Sequence, residues 1–289
     1  DLESSNKEYK RLIEVFKAHN IGYFFYNGGN DSADTAFKVS QISKKLNYPI
    51  HCIAIPKTVD NDLALTDCCP GFGSAAKYIA TSILEASLDV QSMSETSTKV
   101  FILEVMGRHA GWMAASSALA RSEKGDAPHI ILLPEITFNQ NNFLLAVKES
   151  VKKNGYCVVV VSEGVKNSRG KFLAESDLKD AFGHSQLGGV APYLSNLINN
   201  KLKLKNHWAV SDYLQRSARH IASETDLKQA ESVGVHAVRY AANGMNGVMP
   251  IIVRGKGKKY TWKVEPASLS MIANLSLIHI SEPTRPYSI

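Results

Sequence analysis

Short apolar runs alternate with longer helix-like segments along most of this chain, and this alternation constrains the fold more than any other feature. The runs are rich in isoleucine and valine and nearly continuous in apolar character, as in strands that are buried on both faces of a parallel sheet. The predicted strands cover residues 22–26, 50–55, 100–105, 129–133 and 157–161, and the predicted helices between them cover 33–46, 74–88, 111–121 and 142–154. This order favours βαβ units and a doubly wound α/β architecture.

The composition is that of an ordinary globular protein, with 44% hydrophobic and 21% charged residues among 289. The longest apolar runs are too short to span a membrane, so no membrane partner is expected. The formal net charge of +6 slightly favours anionic ligands, but the lysines and arginines are scattered, so a solvated basic surface is favoured over nucleic-acid binding. Four cysteines without zinc-site spacing or disulfide density, and the lack of a signal peptide, indicate a reduced, cytoplasmic protein.

Both ends of the chain are unusual for a complete protein. It opens in polar sequence without an initiator methionine, and residues 275–289 resemble the translation of an adapter used in sequencing libraries. We therefore expect 275–289 to be a non-native tail that is not part of the fold. The alternative is a genuine C-terminal tail.

Polar or charged side chains follow each of the five predicted strands. These strand-end segments are 27–32, 56–62, 106–109, 134–135 and 162–164. In open α/β sheets, ligands bind outside the carboxyl ends of the strands. We therefore expect the five segments to converge on one edge of a sheet and to form an active-site cleft there.

The segment 56–62, Pro-Lys-Thr-Val-Asp-Asn-Asp, combines a cation, a hydroxyl and carboxylates on one short loop. Lys57 suits a donor phosphate. Asp60 is ionised at neutral pH and can accept a proton from an attacking hydroxyl, and Asp62 can meet a metal ion. Phosphoryl transfer needs such groups, together with positive charge around the moving phosphoryl group. The alternative is an Asx-type turn on the surface.

Two glycine-containing segments suit anion binding. Gly28 and Gly29 lie between a strand and a helix, where the backbone can approach a phosphate. The alternative is a plain tight turn in which Asp31 or Ser32 caps the helix. Gly107 and Arg108 open another helix, where an arginine can face an anion or merely face solvent.

Four segments occur in the order and spacing of the 6-phosphofructokinases, which the chain resembles from about residue 21 to residue 274. They are Gly28-Gly-Asn-Asp-Ser32, Pro56-Lys-Thr-Val-Asp-Asn-Asp62, Met106-Gly-Arg108 and Ser162-Glu-Gly164. The resemblance implies two doubly wound, Rossmann-like α/β domains with a cleft between them. Residues 1–74 and 214–274 would form the phosphoryl-donor domain, and 75–213 the fructose 6-phosphate domain.

Two positions resemble one subgroup of that family. ATP-dependent members usually carry glycine where this chain has Asp31 and Lys57, and members that use inorganic pyrophosphate carry Asp and Lys there. The resemblance implies reversible phosphoryl transfer, in glycolysis or gluconeogenesis, from pyrophosphate to the 1-hydroxyl of fructose 6-phosphate. The alternatives are the same reaction with ATP, and a non-catalytic regulatory or assembly subunit of the same fold.

The resemblance also implies residue roles. Asp60 would be the base, Thr58 and Arg108 would steady the phosphoryl group, and Gly28, Gly29, Asp31 and Lys57 would bind the donor phosphate. Asp31 and Asp62 would lie near Mg²⁺. The residues expected to bind substrate are Thr58, Asp60, Asp62, Lys99, Met106, Gly107, Arg108, Glu163, Tyr213 and Arg216, with Lys99 reaching over from a neighbouring subunit of a homodimer or larger homo-oligomer.

The chain departs from the family pattern in three ways. Asn30 stands where an aspartate that helps to place the metal is usual, and His207 falls near the place of an arginine expected to bind the 6-phosphate. The family's first strand and Gly-rich loop should precede Asp1, and a further C-terminal portion should follow Asn274. We therefore expect these 289 residues alone to be inactive or poorly folded and the parent enzyme to be active.

Overall fold

The computed structural model describes residues 2–48, 50–179 and 185–273. The predicted tail, 275–289, lies outside the described residues. In chain order the elements are α1 (Leu2–Ala18), β1 (Tyr23–Gly28), α2 (Asn30–Lys45), β2 (His51–Pro56), α3 (Phe72–Met93), β3 (Val100–Val105), α4 (Trp112–Ser116), β4 (Ile130–Leu132), α5 (Gln140–Asn154), β5 (Cys157–Ser162), β6 (Glu175–Lys179), β7 (Ser185–Leu187), α6 (Val190–Leu202), β8 (Asn206–Val210), α7 (Leu214–Ser217), α8 (Glu224–Ala242), β9 (Val248–Arg254) and β10 (Trp262–Ser268).

The chain forms two compact units, and the first of them is discontinuous in sequence. This first unit runs to Gly71 and resumes at Glu224, and the second covers Phe72–Ser223. The boundaries predicted from sequence lay at 74/75 and 213/214. The small difference arises because α3 begins at Phe72, and because the segment after residue 213 belongs with α3: the Ser223 N–H donates to Ser74 Oγ over 3.1 Å. The functions assigned to the two predicted domains remain predictions.

The sheet of the first unit has four strands in the order β1-β2-β9-β10. β1, β2 and β9 are parallel, and β10 is antiparallel to β9. Alternate β2 side chains face opposite sides of the sheet, as the strand period requires. Cys52 packs with α1 and α2 around Phe16 and Val39, and Ile53 packs with α8 against Ala237.

The second unit has a parallel sheet in the order β4-β5-β3-β8. Ile102 and Val159 pack with Val147 of α5 and Leu194 of α6 on one face. α3 and α4 contact β3 and β5 directly. All six residues of β5 are buried, which accounts for its continuous apolar sequence. β6 and β7 form a separate antiparallel pair.

The predicted α/β class with parallel strands is confirmed, and all five predicted strands are present with small shifts of their ends. The prediction that five strand ends meet at one edge of a sheet was wrong, because β1 and β2 belong to one sheet and β3, β4 and β5 to another. The helix predicted over 111–121 is the short α4, followed by a 3₁₀ turn at Ser117–Ala120. Among the helices in the described part of the chain, none is both long and apolar enough to cross a membrane.

Candidate active site

Two loops of the first unit meet beyond the ends of β1 and β2. We call residues 28–32 and 57–62 the first loop pair. β1 and β2 are parallel neighbours, so the chain leaves both strands at the same edge. The Lys57 N–H donates to the Gly28 carbonyl oxygen over 3.0 Å, and the Asn30 side-chain amide donates to Asp62 Oδ2 over 2.9 Å. The structure therefore brings two of the predicted strand-end segments into direct contact.

Gly28 of the first loop pair leaves space for a facing side chain, and Gly29 immediately precedes helix α2. A Cβ at Gly28 would overlap the Ser32 side chain, and a Cβ at Gly29 would lie 3.6 Å from Thr58 Cβ. Gly29 is the N-cap of α2, and it offers no side-chain cap. Asp31 and Ser32 therefore lie within the first turn and neither caps the helix, contrary to the alternative that the sequence left open. The N-terminal end of α2 favours an anion.

The Asp60-Asn61-Asp62 turn is anchored by its middle residue. Asn61 is 7% exposed and adopts the left-handed conformation with φ +53°. Its Oδ1 accepts a hydrogen bond from the Cys69 N–H over 2.8 Å. The Asp60 N–H donates to Thr58 Oγ1 over 3.2 Å, so the hydroxyl and the carboxylate belong to one ordered turn. This anchoring distinguishes the turn from a loose surface loop.

Asp62 and Asn30 form a partly buried polar pair. Burial raises the pKa of the Asp62 carboxyl, while hydrogen bonds from its own backbone and from Asn30 act in the opposite direction and the nearby Asp31 raises it further. Because the Asn30 amide nitrogen faces Asp62, Asn30 Oδ1 lies on the other side, where it is buried without a hydrogen-bond partner among the described residues. Such an oxygen is unusual in a folded protein and calls for a partner such as a cation or an ordered water.

Two loops of the second unit also meet. We call residues 106–109 and 162–164 the second loop pair. The Gly107 N–H donates to Glu163 Oε1 over 3.3 Å, and Ser162 Oγ donates to the Gly107 carbonyl oxygen. The Glu163 N–H donates to the Val105 carbonyl oxygen over 3.0 Å and so extends the ladder between β3 and β5. Two further predicted segments are thus in contact.

Close backbone contacts, in addition to hydrogen bonds, join the two loops of the second loop pair. Gly107 has φ +134°, a conformation that favours glycine. A Cβ at Gly164 would overlap the carbonyl group of Arg108. The backbone at Arg108 can therefore take its present path only because residue 164 has no side chain. The predicted edge segment 134–135 also reaches this region, where Glu135 Oε1 accepts from the Gly111 N–H over 2.7 Å.

Tyr213 and Arg216 lie on a short turn of the second unit. The Arg216 guanidinium lies over the Tyr213 ring, 4.1 Å from its centroid. Gln215, between them, is 1% exposed and accepts a hydrogen bond from the Met106 N–H over 3.2 Å. This link between the turn and the second loop pair was not expected from the sequence, because no local pattern distinguishes a buried glutamine from an exposed one.

Lys99 is the predicted site residue that lies apart from the others in its unit. It precedes β3, whereas Met106 follows it, and the six residues of β3 span about 20 Å. The Lys99 ammonium donates to the Ser94 carbonyl oxygen just beyond the end of α3. A role for Lys99 in a site of a neighbouring subunit, as the resemblance implies, remains a prediction.

Comparison with known proteins identifies close relatives. Residues 1–241 match the family described as phosphofructokinase. The chain is 58% identical over 274 residues to the pyrophosphate–fructose 6-phosphate 1-phosphotransferase of Methylococcus capsulatus and 60% identical over 274 residues to that of Halomonas elongata. The crystal structure of pyrophosphate-dependent phosphofructokinase from Marinobacter aquaeolei superimposes with a TM-score of 0.84 at 57% identity, covering 94% of this chain and 64% of that one.

The two relatives extend beyond the aligned region. Each alignment covers 95% of this chain but only 65% of the relative. The alignment therefore covers nearly all residues of this chain and about two thirds of the length of each relative.

Proposed function

Because this chain belongs to the phosphofructokinase family, we propose that the protein containing it carries out phosphoryl transfer from pyrophosphate to the 1-hydroxyl of fructose 6-phosphate. The observation that carries the proposal is the contact within the first loop pair, where the Gly-Gly turn of β1 meets the turn that holds Asp60 and Asp62. The names of the close relatives support the choice of both substrates.

Lys57 and Asp31 would select pyrophosphate as donor. The Lys57 side chain is exposed, and its backbone is hydrogen-bonded to Gly28, so the residue lies beside the glycine turn that precedes α2. These groups together would neutralise and hold a phosphate group. Asp31 would occupy space and add charge where a nucleotide's α-phosphate would otherwise lie.

Asp60 would act as general base. Its carboxylate would take the proton of the sugar 1-hydroxyl as the O1–P bond forms and the bridging P–O bond of pyrophosphate breaks, releasing inorganic phosphate. The hydrogen bond from the Asp60 N–H to Thr58 Oγ1 fixes the two residues relative to each other. Thr58, with Arg108, would steady the transferring group.

The donor atoms of the first loop pair fit a hard divalent cation. Magnesium is usually held by one or two carboxylates together with water and substrate phosphates. Asp31 and Asp62 supply two carboxylates, and the Asn30 side-chain amide holds the Asp62 carboxylate in place over 2.9 Å. No group of three or more His, Cys, Asp or Glu side chains suited to a metal occurs within 2–48, 50–179 or 185–273, so phosphate oxygens would have to complete the coordination. When bound, Mg²⁺ would neutralise charge on the phosphates.

The second loop pair would bind the sugar. Met106, Gly107 and Glu163 would contact fructose 6-phosphate. The hydrogen bond from the Gly107 N–H to Glu163 keeps the two loops of this pair together. Tyr213 and Arg216 would hold the 6-phosphate, and stacking on the tyrosine ring already orients the guanidinium. Lys99 would contribute from a second subunit, which would require a homodimer or larger homo-oligomer. A cytoplasmic location remains a prediction from the sequence.

The test is a donor comparison in the protein that contains these 289 residues. We expect phosphorylation of fructose 6-phosphate with pyrophosphate and Mg²⁺, little with ATP, and a shift toward ATP in the double variant Asp31→Gly and Lys57→Gly. Asp60→Ala should lower kcat by about 10²–10⁴-fold, the usual contribution of a general base. Wild-type turnover with ATP alone would favour the ATP-dependent enzyme. Turnover unaffected by Asp60→Ala would show that the base lies elsewhere, and no turnover with either donor would favour a non-catalytic subunit.

A further inference from the structure

The turn that carries Tyr213 and Arg216 depends on a single buried side chain. α7 has only four residues, and a helix of that length is not stable by itself. Gln215 is the only buried residue of α7, at 1% exposed, whereas Tyr213 and Leu214 beside it are each 63% exposed. The contacts of Gln215, together with the packing of α7 against α3, therefore set the position of the turn within its unit.

Both polar ends of the Gln215 side chain are used. Its Oε1 accepts from the Met106 N–H over 3.2 Å, and its Nε2 donates to the Asp212 carbonyl oxygen over 2.8 Å. A buried amide that loses either partner cannot recover the energy from water, so the arrangement strongly favours one side-chain orientation. The Asp212 backbone is itself in the left-handed region, with φ +39°, so the turn is closely defined at its start.

The contact continues into the second loop pair. Met106 is followed by Gly107, whose N–H donates to Glu163 Oε1. The adjacent N–H groups of Met106 and Gly107 thus connect the turn, through Gln215, to Glu163. We propose that Gln215 is a positioning residue, which fixes the Tyr213–Arg216 turn relative to the second loop pair and so sets the affinity for a phosphorylated sugar.

This inference rests on the proposed function, because it assigns the phosphate of the sugar to the turn and the hydroxyl groups to the second loop pair. A rigid ligand with a phosphate at one end and hydroxyls at the other binds well only when the two sets of protein groups keep a fixed separation. Displacing the turn would therefore weaken binding of fructose 6-phosphate and leave binding of pyrophosphate, assigned to the first loop pair, nearly unchanged.

The variant Gln215→Met tests this, because methionine keeps the length and apolar stem but cannot replace either hydrogen bond. In the protein that contains these 289 residues, we expect Gln215→Met to weaken calorimetric binding of fructose 6-phosphate roughly tenfold and to raise its KM similarly, the size of a lost pair of buried hydrogen bonds. The Kd for pyrophosphate should stay within about twofold of the wild-type value, as for a change remote from its site.

Gln229 provides a matched control. It is also a buried glutamine, at 2% exposed, and it donates to Tyr260 Oη over 3.0 Å in the first unit. Gln229→Met should lower stability but leave the Kd for fructose 6-phosphate unchanged. An equal loss of sugar affinity in both variants would mean that Gln215 acts only through general stability and would overturn the proposal.

A measurement on the wild-type protein keeps the inference testable if Gln215→Met does not fold. The Met106 amide should exchange slowly with deuterium, and fructose 6-phosphate should slow exchange at Met106 and in residues 213–216 together. Exchange of the Met106 amide at the rate of an open loop would overturn the inference. An active wild-type enzyme whose Gln215→Met variant binds the sugar normally would refute the inference alone, whereas a folded wild-type protein that neither binds nor phosphorylates fructose 6-phosphate would refute the proposed function as well.

Discussion

Asn30 and Asp62 are joined by a hydrogen bond of 2.9 Å, from the amide nitrogen of the first to the carboxylate of the second. The bond connects the loop after β1 to the loop after β2. It also fixes the orientation of the amide, because the opposite orientation would set two oxygens against each other. Asn30 Oδ1 is consequently held in a buried position, and within 2–48, 50–179 and 185–273 it has no hydrogen-bond partner.

Asn30→Ala should destabilise the folded protein by about 1–3 kcal/mol, since the buried Asp62 carboxylate would lose a donor. Asn30→Asp should also destabilise it, by setting two carboxylates against each other, but Mg²⁺ or Mn²⁺ should restore more stability to Asn30→Asp than to Asn30→Ala. Urea unfolding with and without the metal measures both effects. Asn141→Ala, at an exposed position of α5, serves as control, and an identical metal response in both Asn30 variants would contradict the cation assignment.

Gly164→Ala should disable the second loop pair, because the new methyl group would overlap the Arg108 carbonyl group. We expect a loss of activity of about 10²-fold from the displaced loop, with a stability cost of about 1–3 kcal/mol. Gly234→Ala is the opposite case, since Gly234 lies within α8 and, apart from the helix's own backbone, no described residue comes within 4 Å of the added carbon. It should stabilise the protein by about 0.5–1 kcal/mol and leave turnover unchanged. Thermal unfolding with parallel kinetic assays would separate the two, and wild-type kinetics in Gly164→Ala would contradict the steric argument.

His129 should make the protein sensitive to mild acid. Burial and the nearby Arg121 lower the pKa of the imidazole from its ordinary value of 6.5 to about 4. The folded state therefore favours neutral His129, so its contribution to stability is complete above pH 6.5 and is lost as the pH falls toward 4. We expect this loss to amount to about 1–2 kcal/mol, after allowance for partial exposure.

His129→Gln should be less stable at neutral pH but should show a flatter decline between pH 6.5 and 4. Urea unfolding at a series of pH values measures the slope. His207→Gln, at an exposed position of β8, should leave the slope unchanged. A decline of wild-type steepness in His129→Gln would assign the acid sensitivity to other groups.

Glu104 anchors the N-terminal end of α6. The side chain is 1% exposed, and its two carboxylate oxygens accept from the Gly189 N–H over 3.0 Å and the Ala191 N–H over 2.7 Å. Glu104→Gln should cost about 1–3 kcal/mol, because the amide can accept only one of these bonds and would set its NH₂ group against the other N–H. Chemical denaturation provides the measurement, with exposed Glu149→Gln on α5 as control. Equal effects of the two substitutions would contradict the anchoring role.

The sequence predicted the strands better than their arrangement. Continuous apolar runs such as that of β5 indicate burial on both faces. β8 and β10 were missed because neither strand contains a buried residue and Trp208 lies on the surface. Apolar runs do not tell which strands pair. The five strand ends were therefore assigned to one sheet, although the structure has two.

The sequence predicted the chemical groups of the site, but it did not predict the tertiary contacts that hold those groups in place. Asp60 and Asp62 stand out because they adjoin a cation and a hydroxyl within one loop. The anchoring of Asn61 to Cys69 and the link from Gln215 to Met106 depend on segments that meet only after folding. The pattern of one segment contains no sign of a partner that lies eight or more than a hundred residues away.

The discontinuity of the first unit implies an order of events during synthesis. Its loop at 61–71 is completed by contacts with residues from the returning chain: Asp67 donates to the Ile252 carbonyl oxygen over 2.8 Å, and Gly71 donates to Asp226 Oδ1 over 2.9 Å. Those residues leave the ribosome after the whole of Phe72–Ser223, whose contacts are contained within one stretch of chain. On the growing polypeptide the second unit can therefore assemble first, and the turn with Asp60 and Asp62 acquires its final support only when translation is far advanced.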